Sequence, residues 1–329
     1  MNKTVLCAGT YVVDIMTAAL NGPLMPQSGH HISVTSHPGG NALNTAVNLS
    51  NLGLPGKKII CCGALGDDFE GHFLKTALKK AGIKNKTAAI KGSRTSKSLI
   101  LSFKNGERSF IVDKGASLKF TRQMLVPVLE KIKPYIFYIG ESAASPDIDK
   151  NLPQILRTAK ETGCITMVDY ITLDDSYSDS VFSCAPYTDI IHLNEFEAKT
   201  VTGTDDIKRA ALFLREKGFP LVFVSEGEKG FVMSCGEITL KFPVFPVYCA
   251  DATGAGDAFC SGIMHFIYTH GGIPRTREEL TGLALYASAC GAAAVAKTGC
   301  TGGVSAKAVR EILDKNKTAV IKKLDIPDI

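Results

Sequence analysis

A glycine-rich turn that ends in an aspartate is the segment best suited to chemistry. In Asp251-Ala-Thr-Gly-Ala-Gly-Asp257, three small residues directly precede a carboxylate and an apolar helical run. Small residues let successive backbone N–H groups converge, and a helix N-terminus adds partial positive charge, so this turn can hold a phosphate oxygen. Asp257 would lie in the first helical turn beside that anion. The alternative is an acidic residue that only offsets the helix dipole.

A second cluster lies near the N-terminus. Pro38-Gly-Gly-Asn-Ala-Leu-Asn44 precedes an amphipathic stretch that runs to Leu52. Paired glycines bring backbone close to a ligand, and the amides of Asn41 and Asn44 suit the hydroxyl groups of a polyol. Asp14, after the first predicted strand, could accept hydrogen bonds from the same molecule. A capped helix and an ordinary turn aspartate are the alternatives.

Two polar segments follow predicted strands, at the strand ends where open α/β sheets bind ligands. Asn194-Glu-Phe-Glu197 follows the apolar run 190–193, and Ser225-Glu-Gly-Glu-Lys-Gly230 follows the run 221–224. Both are candidates for nucleotide binding, with a helix cap and a glycine turn as the alternatives.

Two familiar phosphate loops are excluded, because no G-x-x-x-x-G-K-[ST] motif occurs and residues 254–259 lack the third glycine of G-x-G-x-x-G.

The elements that must position these residues alternate along most of the chain. Short β-branched runs predict buried strands, and segments with helical periodicity predict amphipathic helices. This alternation predicts an α/β fold with a mostly parallel sheet and helices on both faces. The predicted strands are 4–7, 58–62, 136–139, 165–168, 190–193 and 221–225, and the clearest helices are 69–81, 152–161, 207–217 and 279–296.

One region departs from this alternation. Residues 98–104 and 107–112 flank Asn105-Gly106, a dipeptide suited to a two-residue hairpin turn. Together with 11–20 and 31–36, they predict a small antiparallel sheet, interleaved at about 10–37 and 95–115 with a single domain spanning 1–329. A lid over a cleft is the functional interpretation, and an incidental β-appendage is the alternative. The exposed edge of such a sheet favours a homodimer through the lid.

Composition excludes several classes of protein. The chain has 329 residues with a net charge of +5, and its basic residues occur mostly in pairs such as Lys57-Lys58, which is typical of a solvated surface and not of a nucleic-acid footprint. Its ten cysteines include no CxxC pair, which indicates free thiols in a reducing compartment. The longest apolar stretch, 283–296, is too short to span a bilayer. Because no secretory leader precedes the first predicted strand, we expect a cytoplasmic protein without membrane or nucleic-acid partners.

The order of the motifs resembles that of the ribokinase / phosphofructokinase-B family of carbohydrate kinases. The resemblance covers roughly residues 3–315 and rests on the segments 39–44, 63–71, 194–197, 225–230 and 251–257. It implies a ribokinase-like α/β fold with a small β lid. It also implies transfer of a phosphoryl group from ATP, with Mg²⁺, to a hydroxyl group (a primary one) of a small sugar or sugar acid.

The same resemblance implies roles for individual residues. Asp257 corresponds to the general base, and the backbone amides of Gly254, Ala255 and Gly256 correspond to the anion hole. The positions that bind sugar hydroxyls are Asp14, Gly40, Asn41 and Asn44. The nucleotide positions are Asn194, Ser225, Gly227 and Gly230. Glu197 corresponds to a residue that organises Mg²⁺ through water, and Asp251 and Thr253 to a monovalent-cation site, for K⁺, that some members have.

Departures from the family pattern concern the acceptor. An Asp-x-Asn-x-x-Arg segment is reduced to Asp169-Tyr-Ile-Thr-Leu173, and Asn41 stands where many ribokinases have Lys. A pentose, a hexose, a sugar acid and a nucleoside therefore remain open as acceptors, with Glu141 as a further candidate contact.

Two alternatives to a sugar kinase remain. A nucleoside kinase of the same family would need an aromatic lid contact, for which Tyr11 and Phe110 are the candidates. A non-catalytic nucleotide- or sugar-binding protein would need a damaged site, whereas Asp257 and the glycine turn are intact.

Overall fold

A nine-stranded sheet runs through the fold, with helices on both faces. The computed structural model describes residues 3–22, 24–27, 29–104, 108–140, 145–170 and 178–324. Its strands are β1 (Val5–Ala8), β2 (Val12–Thr17), β3 (Val34–Gly39), β4 (Ile59–Cys62), β5 (Ala64–Gly66), β6 (Lys84–Asn85), β7 (Ala88–Ile90), β8 (Ser96–Ser102), β9 (Arg108–Asp113), β10 (Ile136–Gly140), β11 (Ile165–Asp169), β12 (Ile190–Asn194), β13 (Leu221–Ser225), β14 (Phe231–Cys235) and β15 (Ile238–Phe242). Its helices are α1 (Asn41–Asn51), α2 (Phe69–Lys80), α3 (Arg122–Ile132), α4 (Pro146–Glu161), α5 (Ser178–Cys184), α6 (Glu195–Thr202), α7 (Ile207–Glu216), α8 (Ala255–His270), α9 (Arg277–Val295) and α10 (Ala306–Ile321).

The large sheet has the order β15-β14-β13-β12-β11-β10-β1-β4-β6. Adjacent strands are parallel from β13 through to β6, and β14 and β15 add an antiparallel edge. Strands such as β4 and β10 are buried along their whole length, which is why they read as uninterrupted apolar runs in the sequence. The α/β prediction with a mostly parallel sheet is confirmed, and all six predicted strands are present within one residue at each end.

The apolar core has two layers, one on each face of this sheet. One layer includes Leu49 of α1, Ile263 of α8 and Leu283 of α9, and the other includes Leu125 of α3 and Ile155 of α4.

None of the described helices is long and apolar enough to cross a membrane. None of the ten cysteines, all of which lie among the described residues, forms a disulfide, and Cys249 is the one that is exposed.

A four-stranded sheet of order β3-β2-β8-β9 lies beside the large one. The pairs β2–β3 and β8–β9 are antiparallel, as predicted, but β2 and β8 are parallel because two separate arms of the chain leave the large sheet in the same direction. The strand predicted at 31–36 is Val34–Gly39 instead, since its register follows from pairing with β2. The Asn105-Gly106 turn lies outside the described residues.

The arm that carries β8 and β9 is anchored at its base, next to the separate two-stranded sheet of β5 and β7. Asp68 caps α2 by accepting a hydrogen bond from the Gly71 amide at 2.8 Å, and its other oxygen accepts one from the Thr95 amide at 2.7 Å. Thr95 directly precedes β8, so the segment 63–71 fixes the base of the small sheet.

Candidate active site

The glycine turn forms the N-terminus of α8. Gly254 is the N-cap with φ = 79°, and a Cβ there would lie 2.8 Å from the Cα of Cys300, so only glycine fits. At Gly256, by contrast, the one described atom within 4 Å of a Cβ, apart from the adjoining residues of α8, would be Cε1 of His192 at 3.7 Å. The first-turn amides of a helix have no intrahelical acceptors, so this end of α8 is suited to an anion.

The Asp257 carboxylate lies in this first turn and contacts the other predicted cluster. Nδ2 of Asn44, on α1, donates a hydrogen bond to Oδ2 of Asp257 at 2.8 Å. The Ser261 hydroxyl joins the two helices, because it lies 3.1 Å from the carbonyl oxygen of Thr45 and 2.6 Å from that of Asp257. Two segments more than half the chain apart, predicted separately, therefore meet at one carboxylate.

Asp14 lies on β2, buried beside Gly39 of β3. A side chain at position 39 would collide with the Asp14 carboxylate. The Cys300 thiol donates to Oδ2 of Asp14 at 3.7 Å. Burial raises the pKa of Asp14 to about 6, and the negative charge of Asp251 adds to that rise while the Cys300 thiol opposes it. Cys300 thus connects Asp14 to the glycine turn, a contact that the sequence did not suggest.

Two amide atoms at the start of α1 are buried without a partner in the described part of the chain: Nδ2 of Asn41, close to Gly140 of β10, and Oδ1 of Asn44, whose amide nitrogen contacts Asp257. Asn41 follows Gly40, the N-cap of α1, whose φ of 89° and proximity to the Thr10 carbonyl require glycine. A buried polar atom that lacks a hydrogen bond costs about 1–3 kcal/mol. These two atoms are therefore suited to a polar ligand at the start of α1.

The predicted metal-organising pair forms a capping box at the start of α6. Oδ1 of Asn194 accepts hydrogen bonds from the amides of Phe196 and Glu197, both at 2.9 Å, and Oε2 of Glu197 accepts one from the Asn194 amide at 2.7 Å. Burial raises the pKa of Glu197 to about 8, and the nearby Asp169 carboxylate contributes. The helix-cap interpretation is therefore correct, and any binding role is additional to it.

The glycine loop after β13 requires its glycines. Gly227 has φ = 53° and Gly230 has φ = 105°, and a side chain at position 230 would collide with the carbonyl oxygen of Phe242. Ser225, which begins the loop, has its hydroxyl 3.2 Å from Nε2 of His192. The path of this loop therefore depends on glycine at position 230.

Asp251 is buried and joins two loops. Its Oδ1 accepts a hydrogen bond from the Thr253 amide at 2.9 Å, and its Oδ2 accepts one from the Gly299 amide at 3.0 Å. The carboxylate thus holds the segment before α8 against the segment after α9.

A row of buried polar side chains was not predicted from the sequence. The Tyr138 hydroxyl donates to Oδ2 of Asp169 at 3.0 Å, and Nδ1 of His192 lies 2.7 Å from Oδ1 of the same carboxylate. With Cys260 nearby, this group has the composition of a metal site. However, ligand atoms on a tetrahedral zinc ion are roughly 3.3 Å apart, so the 2.7 Å separation is that of a hydrogen bond. Its only signal in the sequence was a histidine inside an otherwise apolar strand.

The family is decided by a match over nearly the whole chain. The model of the pfkB family of carbohydrate kinases matches residues 3–307. The chain belongs to this family. As a pfkB kinase it is a phosphotransferase with an alcohol group as acceptor, which confirms the resemblance found in the sequence.

Individual relatives agree with this assignment. The pfkB kinase is 26% identical over 324 residues to fructokinase-2 of Oryza sativa subsp. japonica, covering 94% of each chain. Its fold is similar to that of ribokinase from Giardia lamblia, with a TM-score of 0.83 at 18% identity over 95% of this chain and 99% of the other. It is also similar to that of fructokinase with bound ATP from Xylella fastidiosa, with a TM-score of 0.78 at 21% identity over 96% and 100% of the two chains. The ribokinase-like fold is thereby confirmed.

The remaining candidate residues of the pfkB kinase divide into three groups. Tyr11 is fully buried and packs against Gly63, so it is not available to stack on a nucleoside base. Phe110 lies on β9 and is 57% exposed. Glu141 and residues 171–173 lie outside the described residues.

Proposed function

We propose that this pfkB kinase transfers the γ-phosphoryl group of ATP to a hydroxyl group, a primary one, of a small sugar or sugar acid. The observation that carries the proposal is the contact between Asp257 and Asn44. It brings a carboxylate at a helix N-terminus together with the polar side chains that begin α1. A base, an anion-binding helix end and groups suited to hydroxyls therefore share one cleft.

In the proposed reaction, Asp257 takes the proton from the acceptor hydroxyl as that oxygen attacks phosphorus. The backbone amides of Gly254, Ala255 and Gly256 stabilise the negative charge on the transferring group, which is the main catalytic requirement of a loose phosphoryl-transfer transition state. A well-placed general base contributes roughly 10²–10⁴-fold.

The sugar would bind where polar atoms are left unpaired. Nδ2 of Asn41 and Oδ1 of Asn44 supply one donor and one acceptor among the described residues, and buried Asp14 supplies a further acceptor. Gly40 lets the backbone approach the ligand at the start of α1. We infer that the four-stranded sheet that carries Asp14 is the lid of a single kinase domain.

The nucleotide would lie along Asn194, Ser225, Gly227 and Gly230, at the carboxyl ends of β12 and β13. Mg²⁺ fits the ionised form of Glu197, because the carboxylate accepts one backbone hydrogen bond and keeps further lone pairs for metal-bound water, and the charge of the ion would oppose the rise in pKa that burial and Asp169 cause. When bound, the ion would neutralise charge on the phosphates. We assign a K⁺ site to Asp251 and Thr253, which the effect of K⁺ on turnover would test.

The first experiment is an ADP-release assay with ATP and Mg²⁺. The acceptors are ribose, fructose, glucose, 2-keto-3-deoxygluconate, adenosine and inosine, each with and without K⁺. Turnover with one sugar or sugar acid is the expected result. Turnover with nucleosides alone would identify a nucleoside kinase instead. Binding of ATP without turnover of any acceptor would favour a non-catalytic protein.

The raised pKa of Asp14 predicts a pH-dependent affinity for the acceptor. Above about pH 6 the carboxylate is ionised and accepts hydrogen bonds from hydroxyl groups, and below it the protonated form loses part of that capacity. We expect the KM for the sugar to rise by up to roughly tenfold one pH unit below this pKa, where about nine-tenths of the carboxyl is protonated. Steady-state kinetics between about pH 5 and 8 would measure this. In Asp14→Asn the dependence should vanish, and an unchanged slope would exclude Asp14 as its origin.

We also propose a homodimer formed through the lid. The edge strand β9 exposes three consecutive apolar side chains, Phe110, Ile111 and Val112, at 57%, 61% and 55%. Exposed apolar edge strands favour pairing with another chain. Light scattering should therefore find a dimer that Ile111→Lys converts to monomers, while Leu212→Lys on α7 leaves it intact. A monomeric parent protein would disprove this arrangement.

A further inference from the structure

Four adjacent strands contribute one polar side chain each to a continuous row. The row runs from Tyr138 on β10 through Asp169 on β11 and His192 on β12 to Ser225 on β13. The successive hydrogen bonds measure 3.0, 2.7 and 3.2 Å. The first three residues are at most 4% exposed.

The chemistry of the groups fixes the direction of the hydrogen bonds. A carboxylate only accepts, so both the Tyr138 hydroxyl and Nδ1–H of His192 donate to Asp169. The other ring nitrogen, Nε2, then faces the Ser225 hydroxyl. Asp169 therefore sets the orientation of the ring, and the ring holds the serine oxygen together with the carbonyl oxygen of Leu193, which lies 3.5 Å from it.

The location of the row connects the two halves of the proposed site. At one end, Gly140 lies against both the Asn41 amide and the Tyr138 hydroxyl, since a Cβ at position 140 would collide with each of them. The row therefore begins next to α1. At the other end, Ser225 opens the glycine loop. Between them, His192 lies beneath Gly256 and packs on Phe259 of α8 at 5.4 Å between ring centroids.

A purely structural role in the core does not require polar side chains at these strand positions. Replacing buried polar or charged groups with apolar residues of similar volume is often neutral or stabilising, because their desolvation is costly. The apolar side chains that fill the two core layers of the same strands illustrate the cheaper solution. A row that ends at a site loop is better explained by what it does for that loop.

We propose that His192 is a positioning residue for the nucleotide, which, held by Asp169, fixes the Ser225 hydroxyl in the loop that binds the ATP phosphates. The inference deepens the proposed function and rests on its assignment of that loop. Neither His192 nor Asp169 touches the reacting atoms in this arrangement. Both act through Ser225.

Two substitutions at one position separate this role from a structural one. The amide of His192→Asn overlaps Nδ1 and keeps the contact with Asp169, but it does not reach Ser225. The amide of His192→Gln overlaps Nε2 and does reach Ser225. We expect His192→Asn and Ser225→Ala each to raise the KM for ATP roughly tenfold, the loss of about one hydrogen bond, without changing the KM for the sugar. His192→Gln should remain within about threefold of the parent protein.

A double-mutant cycle completes the test. If His192 acts through Ser225, the combination of His192→Asn with Ser225→Ala is no worse than either single change. Ser234→Ala is the matched control, because it removes a part-buried side-chain hydrogen bond between Ser234 and Thr239 in the same sheet, and it should leave both KM values unchanged. Multiplicative effects in the cycle, or a lowered Tm with an unchanged KM for ATP, would overturn the proposal.

Calorimetric titration of the same variants with Mg-ADP distinguishes this inference from the proposed function. Weakened binding in His192→Asn and Ser225→Ala, with His192→Gln spared, supports the positioning role even if no tested sugar is phosphorylated. Equal Mg-ADP affinity in all variants overturns it even if the parent enzyme is an active sugar kinase. A parent protein without affinity for Mg-ADP overturns both.

Discussion

Asp257→Asn is expected to lower kcat by about 10²–10⁴-fold while the affinity for Mg-ADP stays close to that of the parent enzyme. The substitution keeps the shape of the side chain and an oxygen that can accept the Asn44 hydrogen bond, so the contact between α1 and α8 survives. It removes the basic group that takes the proton. The measurement is kcat at saturating sugar and ATP, with Mg-ADP affinity and Tm determined on the same preparation.

The matched control is Asp206→Asn. Asp206 is also an aspartate at a helix N-terminus, the N-cap of α7, and Asn is an equally good N-cap. This variant should retain full turnover and stability, which would exclude a general effect of removing charge from a helix end. If Asp257→Asn retained more than about a tenth of the parent turnover, its role as general base would be wrong.

The second large loss of kcat is expected for Gly256→Val. A Cβ at this position is in ordinary van der Waals contact with Cε1 of His192, at 3.7 Å, and the two further methyl groups of valine would crowd the first-turn amides of α8, where the phosphoryl group is expected. Loss of an anion-hole donor costs roughly 10²–10³-fold in kcat, and we expect an effect of this size with little change in Tm.

Two neighbouring substitutions control for folding. Gly256→Ala adds only the Cβ, at an ordinary van der Waals distance from His192, and should fold normally with a smaller loss of activity. Gly254→Ala should instead destabilise the protein, because its φ of 79° and its proximity to Cys300 exclude a side chain. Full activity in Gly256→Val would disprove the anion hole.

The sequence was most informative where burial is complete. Strands β4 and β13 are predicted closely because a parallel strand covered on both faces must be apolar throughout, and their ends are marked by Gly63 and by the polar loop after Ser225. The small sheet was predicted less well. Strand β3 is half-exposed, so the register comes from its partner β2 and not from its own pattern.

Contacts between segments remote in sequence could not be predicted. The convergence of Asn44 and Asp257 came from the resemblance to a family, since no local pattern relates α1 to α8. The resemblance implied neither the contact of Cys300 with Asp14 nor the row through Asp169 and His192. A single cysteine or histidine in an apolar context has the same pattern whether it packs in a core or supports a site, and only three-dimensional neighbours distinguish the two.

The parallel pairing of β2 with β8 has a consequence for the order of folding. It joins residues 12–16 to 96–100, and between them the chain forms α1, β4, β5 and α2. Each arm of the small sheet can pair locally, but the two arms meet only after that intervening segment has brought their bases together, and closing so long a loop is entropically costly. We therefore expect the small sheet to be completed late in folding, so that Asp14 reaches its buried position beside Cys300 only once the rest of the cleft exists.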